Sequence, residues 1–97
     1  MEKIFHVYIL ASRRNGTLYT GVTGDLSQRV WLHKHGDQGG FTRKYGVHLL
    51  VWYAEFPTAL EAITFEKRLK RWRRAWKLEL IERDNPQWLD RYETFNQ

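Results

Sequence analysis

The chain alternates between two hydrophobic periods, and the change of period marks its elements. Residues 4–10, "IFHVYIL", and 17–23, "TLYTGVT", are β-branched or aromatic at most positions and read as strands. Between them stands Asn15-Gly16, a strong hairpin signal because both residues tolerate the positive φ of a type I′ turn. The strands should pair antiparallel. A turn centred on that dipeptide puts even positions of the first strand and odd positions of the second on one face, so Tyr8 and Tyr19 share a side of the sheet. The same register offsets them by about four residues, or ~13 Å. A longer loop or a bulge would bring them closer.

Asp25, three residues before Gln28, is a good N-cap for a helix over about 26–35. Leu26, Val30 and His33 fall on one stripe of that helix, with Arg29 about 60° to the side. Two of these four positions are ionisable. The glycine-rich "HGDQGGFTRKYG" reads as a loop with a short turn near Arg43-Lys44, and 47–55, "VHLLVWYAE", as a third strand. Pro57-Thr58 opens a helix whose apolar stripe runs through Ala62, Phe65, Leu69, Trp72, Trp76 and Leu80. Glu66 borders that stripe, and Lys70, Arg73 and Lys77 share its flank. A helix over 58–82 is long for so small a domain, so a break is expected near 72–76. Asn85-Pro86 ends it, and "QWLDRY" suggests a short terminal helix. The expected class is α/β (α+β), a small three-stranded antiparallel sheet flanked by helices, with residues 1–97 forming one domain.

Composition narrows the chemistry. Hydrophobic content of 42% supplies a core for a 97-residue chain. The absence of cysteine excludes disulfides, thiolate metal sites and a Cys nucleophile, and fits a reducing, cytoplasmic setting. No apolar run approaches the roughly 20 residues of a membrane span, and the N-terminus lacks the pattern of a signal peptide. The net charge of +5 favours a polyanionic partner, most simply nucleic acid. Seven Lys or Arg against one acid lie in "EKRLKRWRRAWK", residues 66–77, so Lys67, Lys70, Arg71, Arg73, Arg74 and Lys77 are the candidate contacts to a nucleic-acid backbone.

Tyr8, Tyr19, Arg29 and His33 come together if the first helix packs on the tyrosine-bearing face. That set suits a phosphodiester: Arg clamps phosphate bidentately, Tyr or His moves a proton, and a carboxylate such as Glu66 holds a divalent cation. Each residue also has a plainer reading. Strand tyrosines pack, a lone histidine on an apolar stripe is commonly a hydrogen-bonded core residue, and Arg29 can snorkel at an edge. Glu66 can be an i,i+4 partner of Lys70, and the basic run a solvated face.

The ordered positions resemble the GIY-YIG nuclease superfamily, especially its small branch related to the nuclease domain of the nucleotide-excision repair incision subunit. The first triplet corresponds to His6-Val7-Tyr8 and the second to Tyr19-Thr20-Gly21, with ten residues between them. The family arginine falls on Arg29, the helix histidine on His33, the metal-binding glutamate on Glu66 and a downstream asparagine on Asn85. His6 stands where the family has glycine, which permits a close backbone approach that histidine does not. The resemblance covers His6 to about Tyr92. It implies endonucleolytic hydrolysis of DNA, structured or damaged DNA included, with one Mg²⁺ or Mn²⁺ on Glu66. Tyr8 would activate water with His33 sharing the proton, Tyr19 would orient phosphate or water, and Arg29 would stabilise the pentacovalent charge. The competing function is a non-catalytic nucleic-acid-binding or partner-targeting module built on 66–77, with Trp72 or Trp76 in the core or stacking on bases. A monomer is expected, because the apolar positions fit one core.

Overall fold

The computed structural model describes residues 3–35 and 40–95. Strand β1 (Phe5–Ala11) is central, with β2 (Leu18–Thr23) on one side and β3 (Leu49–Phe56) on the other, both antiparallel to it. Helices α1 (Leu26–Lys34) and α2 (Gly40–Tyr45) precede β3, and α3 (Ala59–Arg71), α4 (Arg74–Asp84) and α5 (Tyr92–Phe95) follow it. This is the three-stranded antiparallel sheet with flanking helices that the pattern predicted.

The hairpin keeps the predicted parity but not the predicted turn. Tyr8 faces Gly21 and Leu10 faces Tyr19, so the turn is centred one residue earlier than Asn15-Gly16. Ser12 explains the shift: its N–H donates to Thr17 O at 3.0 Å, and its Oγ accepts from Thr17 N at 3.0 Å. Gly16 N closes a tighter turn onto Arg13 O, with Asn15 at φ 58°. The tyrosines are thus two residues out of register rather than four.

A bulge in β3 redirects its side chains. Ile9 faces Trp52 but Leu10 faces Leu50, leaving Val51 as the extra residue. Val51 and Trp52 therefore both join the core that odd residues Val7, Ile9 and Ala11 make with Ala62 and Leu69 of α3 and Ile81 of α4. Even residues Tyr8 and Leu10 face the other way, onto Leu26 and Val30 of α1, with Val47 and Leu50.

The predicted break falls at Trp72 and Arg73, both extended with ψ near 147°. A straight helix over 58–82 would run about 37 Å, longer than the 35 Å longest dimension of the molecule. The break resets the helical phase, and this corrects the single stripe: Ile81 is buried and Trp76 is 52% exposed. It also corrects the shared flank, because Arg73 lies in the break and Lys77 in the helix after it, whereas Glu66 and Lys70 lie on α3. The segment read as a loop contains α2, with residues 36–39 outside the described residues. Of "QWLDRY" only Tyr92 is helical; the stretch before it ties down the exposed edge of β3. Leu50 N donates to Asp90 Oδ1 at 3.1 Å, and Leu50 O accepts from Arg91 N at 2.7 Å.

Candidate active site

Asp25 starts α1 as predicted, its Oδ1 accepting from Gln28 N at 3.1 Å. Leu26 and Val30 seat the helix, and the stripe carries His33 over the even face of β1. There Tyr8 Oη lies 3.1 Å from His33 Nε2, and His33 Nδ1 lies 3.3 Å from Thr42 Oγ1 of α2. All three side chains are buried. The buried phenol needs an acceptor for its proton, and Nε2 provides it; Nδ1–H then donates to Thr42. One strand and two helices are joined by this chain of hydrogen bonds.

Gly21 creates the room. A Cβ at this position would lie 2.5 Å from Cζ and Oη of Tyr8, so the Tyr8 ring lies directly across the β2 backbone. Tyr19 completes an aromatic triangle, its ring 6.4 Å from Tyr8 and 5.2 Å from His33. The one-residue shift of the turn is what closes this gap.

Charge enters from two helices. Arg29, half-buried on α1, acts electrostatically on both Tyr8 and His33. Glu66 is buried on α3, with Oε2 accepting from Lys70 Nζ at 2.8 Å, the i,i+4 pairing open from the sequence. Burial drives the Tyr8 phenol well above its usual range; Tyr19 and Glu66 add to the rise and Arg29 opposes it. Burial, reinforced by Arg29, pulls His33 down to about 4. At neutral pH the proton therefore stays on Tyr8 and the imidazole is uncharged.

His33 and Tyr19 thus stand against the Tyr8 ring, and Arg29 and Glu66 act on its phenol electrostatically. Among the described residues no group of three or more His, Asp or Glu side chains could hold a metal ion. The single buried carboxylate of Glu66 still suits Mg²⁺, which keeps most of its waters and needs few protein ligands.

The other candidates lie elsewhere. His6 shares the even face but packs edge-on against Tyr53 and Phe95 at 5.9 and 5.3 Å, with both ring nitrogens unpartnered and its pKa lowered by burial. Its ring fills core space beside the cluster. Asn85 is occupied with the backbone: Nδ2 donates to Val51 O at the bulge and to Leu89 O, and Oδ1 accepts from Leu89 N. It satisfies the carbonyl that the bulge leaves without a ladder partner. In the basic segment, Lys67, Lys70, Arg71 and Arg73 are exposed, with Arg73 5.5 Å from the Trp76 ring. Arg74 instead donates to Asn15 O and Gly16 O at 2.8 and 2.6 Å, and Lys77 Nζ reaches Lys70 O at 3.4 Å. Sequence reasoning missed Thr42, and named Gly21 only as part of the second triplet without its place against Tyr8. A correct register would have exposed Gly21 opposite Tyr8, whereas nothing local marks Thr42.

Residues 4–79 match the GIY-YIG catalytic domain, and the chain belongs to that family. It is 37% identical over 82 residues to a UPF0213 protein of Oceanobacillus iheyensis, covering 84% of this chain and 94% of the relative. A UPF0213 protein of Bacillus pumilus is 35% identical over the same length, with 84% of each chain covered. Among solved structures, the solution NMR structure of a UPF0213 protein from Bacillus halodurans matches with a TM-score of 0.50 at 34% identity, over 81% of this chain and 83% of that one. Among the described residues no helix is long and apolar enough to cross a membrane.

Proposed function

We propose that the protein is a metal-dependent endonuclease that hydrolyses phosphodiester bonds in DNA, with Tyr8, Tyr19, Arg29 and His33 as catalytic residues and Glu66 as the metal ligand. The observation that carries this reading is the buried Tyr8–His33 hydrogen bond at 3.1 Å, with Arg29 and Glu66 acting electrostatically on the same phenol, in a chain of the GIY-YIG family. Glu66 would hold Mg²⁺ or Mn²⁺, which supplies charge neutralisation at the phosphate oxygens and acidifies bound water. Tyr8, holding its proton at rest, passes it to Nε2 of neutral His33 as it takes one from the attacking water, whose oxygen bonds to phosphorus while the P–O bond to the leaving oxygen breaks and that oxygen takes up a proton from solvent. Thr42 keeps the proton on Nδ1, and so leaves Nε2 as the acceptor, by accepting a hydrogen bond from Nδ1–H. Arg29, cationic throughout, binds phosphate oxygens and stabilises the charge that develops on them. Tyr19 positions the phosphate beside Tyr8. Exposed Lys67, Arg71 and Arg73 supply sequence-independent attraction to the backbone.

One observation favours a second reading, a nucleic-acid-binding module that does not cut: Lys70 already neutralises Glu66. A cleavage assay on DNA and RNA with Mg²⁺ or EDTA separates the two. Metal-dependent cutting that disappears in Glu66→Ala and Tyr8→Phe is expected. Folded parent protein that cuts nothing, while salt-dependent binding persists in both variants, assigns the binding role instead.

A further inference from the structure

Aromatic contacts continue outward from the cluster. The Tyr19 ring lies 6.0 Å from Phe41, and Phe41 lies 4.8 Å from Tyr45. Phe41 is 44% exposed and Tyr45 45% exposed, so the series runs from the cluster to open surface. The exposed Arg43 and Lys44 lie between them in sequence, and Lys44 Nζ stands 5.4 Å from the Tyr45 ring centroid. Single exposed aromatics are ordinary. Here two exposed rings touch each other, one touches Tyr19, and both belong to a helix whose buried Thr42 bonds His33.

Resting on the nuclease reading above for its position beside the scissile phosphate, we propose that Phe41 and Tyr45 form a stacking platform for unpaired nucleobases, which makes single-stranded or locally unpaired nucleic acid the substrate class. In a duplex the base faces are covered by their neighbours, and only an unpaired base can offer its π-face to a protein ring. The rings are 4.8 Å apart and tilted by 47°, too close to admit a base between them. Bases therefore lie on the outer faces, with Arg43 and Lys44 meeting the accompanying phosphates. The charge of those residues favours a nucleic-acid strand over an apolar protein segment as the occupant.

The test is equilibrium binding of the whole chain, in EDTA so that nothing is cut, to a single-stranded oligonucleotide carrying 2-aminopurine and to a matched duplex. Parent protein is expected to quench the 2-aminopurine. Phe41→Ala and Tyr45→Ala should each weaken single-strand binding roughly 5- to 100-fold, leave duplex binding unchanged and relieve the quench, while Phe41→Trp restores it. Unchanged single-strand affinity in both alanine variants overturns the platform, and so does equal loss on both substrates. Cleavage with Mg²⁺ is scored separately. A protein that quenches through Phe41 but never cuts retains the platform and loses the nuclease reading; one that cuts equally well without Phe41 and Tyr45 does the reverse.

Discussion

Val7, Ile9 and Ala11 point to one face of β1, and His6, Tyr8 and Leu10 to the other; both sets are buried. On the first face they meet Ala62, Leu69 and Ile81, a core with little hydrogen bonding to satisfy. On the second, Leu10, Leu26, Val30, Val47 and Leu50 enclose the Tyr8 phenol, which bonds His33, which bonds Thr42. The apolar face is held by area and shape, so its energy is spread over many contacts. The mixed face holds as well, but each polar atom in it depends on a particular partner. Substitutions should therefore hurt stability on the first face and chemistry on the second.

The largest expected effect breaks the mixed face without unfolding it. Tyr8→Phe and Arg29→Ala should each lower single-turnover cleavage by a factor on the order of 10² to 10³, with the far-UV circular dichroism spectrum retained. Tyr8→Phe leaves His33 Nε2 buried without its donor, so a stability loss of about 1–3 kcal/mol is expected alongside. On the apolar face the outcome should invert: Ile81→Ala costs about 2–5 kcal/mol in urea unfolding, yet cleavage per folded molecule is unchanged. Gly21→Ala sits between these cases. Its Cβ meets the Tyr8 ring, so a loss of about 1–3 kcal/mol should come with displaced Tyr8 and reduced cleavage.

The smallest effect is a pH dependence. His33 has its folded pKa depressed to about 4, below the roughly 6.5 of an unfolded histidine, so the unfolded chain binds more protons between these values. The stability this neutral group contributes is present above about pH 6.5 and is lost as pH falls toward 4. His6, also lowered by burial, acts with the same sign. Thermal midpoints measured from pH 7 to pH 5 should decline, and His6→Phe should shallow the slope. An unchanged slope would deny His6 its neutral core role.

Much of this contrast was legible along the chain. Hairpin parity put Tyr8 and Tyr19 on one face, Asp25 set the start of α1, and the apolar stripe carried His33 inward. The broken helix followed from length. Other features depended on contacts between distant residues. Ser12 moves the turn by bonding Thr17, and no rule about Asn-Gly anticipates that bond. The bulge at Val51 recruits Asn85 from 34 residues away, turning a candidate site residue into a backbone partner. Trp76 left the core stripe because two residues at 72–73 reset the helical phase.

The sequence by itself determined the three strands, α1 and the broken long helix, the shared face of the two tyrosines and the family, because period and spacing are local properties that survive changes of register by two. The tertiary structure decided distances and protonation. Whether two tyrosines lie about 13 Å apart or with rings 6.4 Å apart depends on a one-residue shift of a turn. Whether a histidine is charged depends on how much water and which charges surround it, and folding sets those for His33 with groups from α1, α2 and both strands of the hairpin.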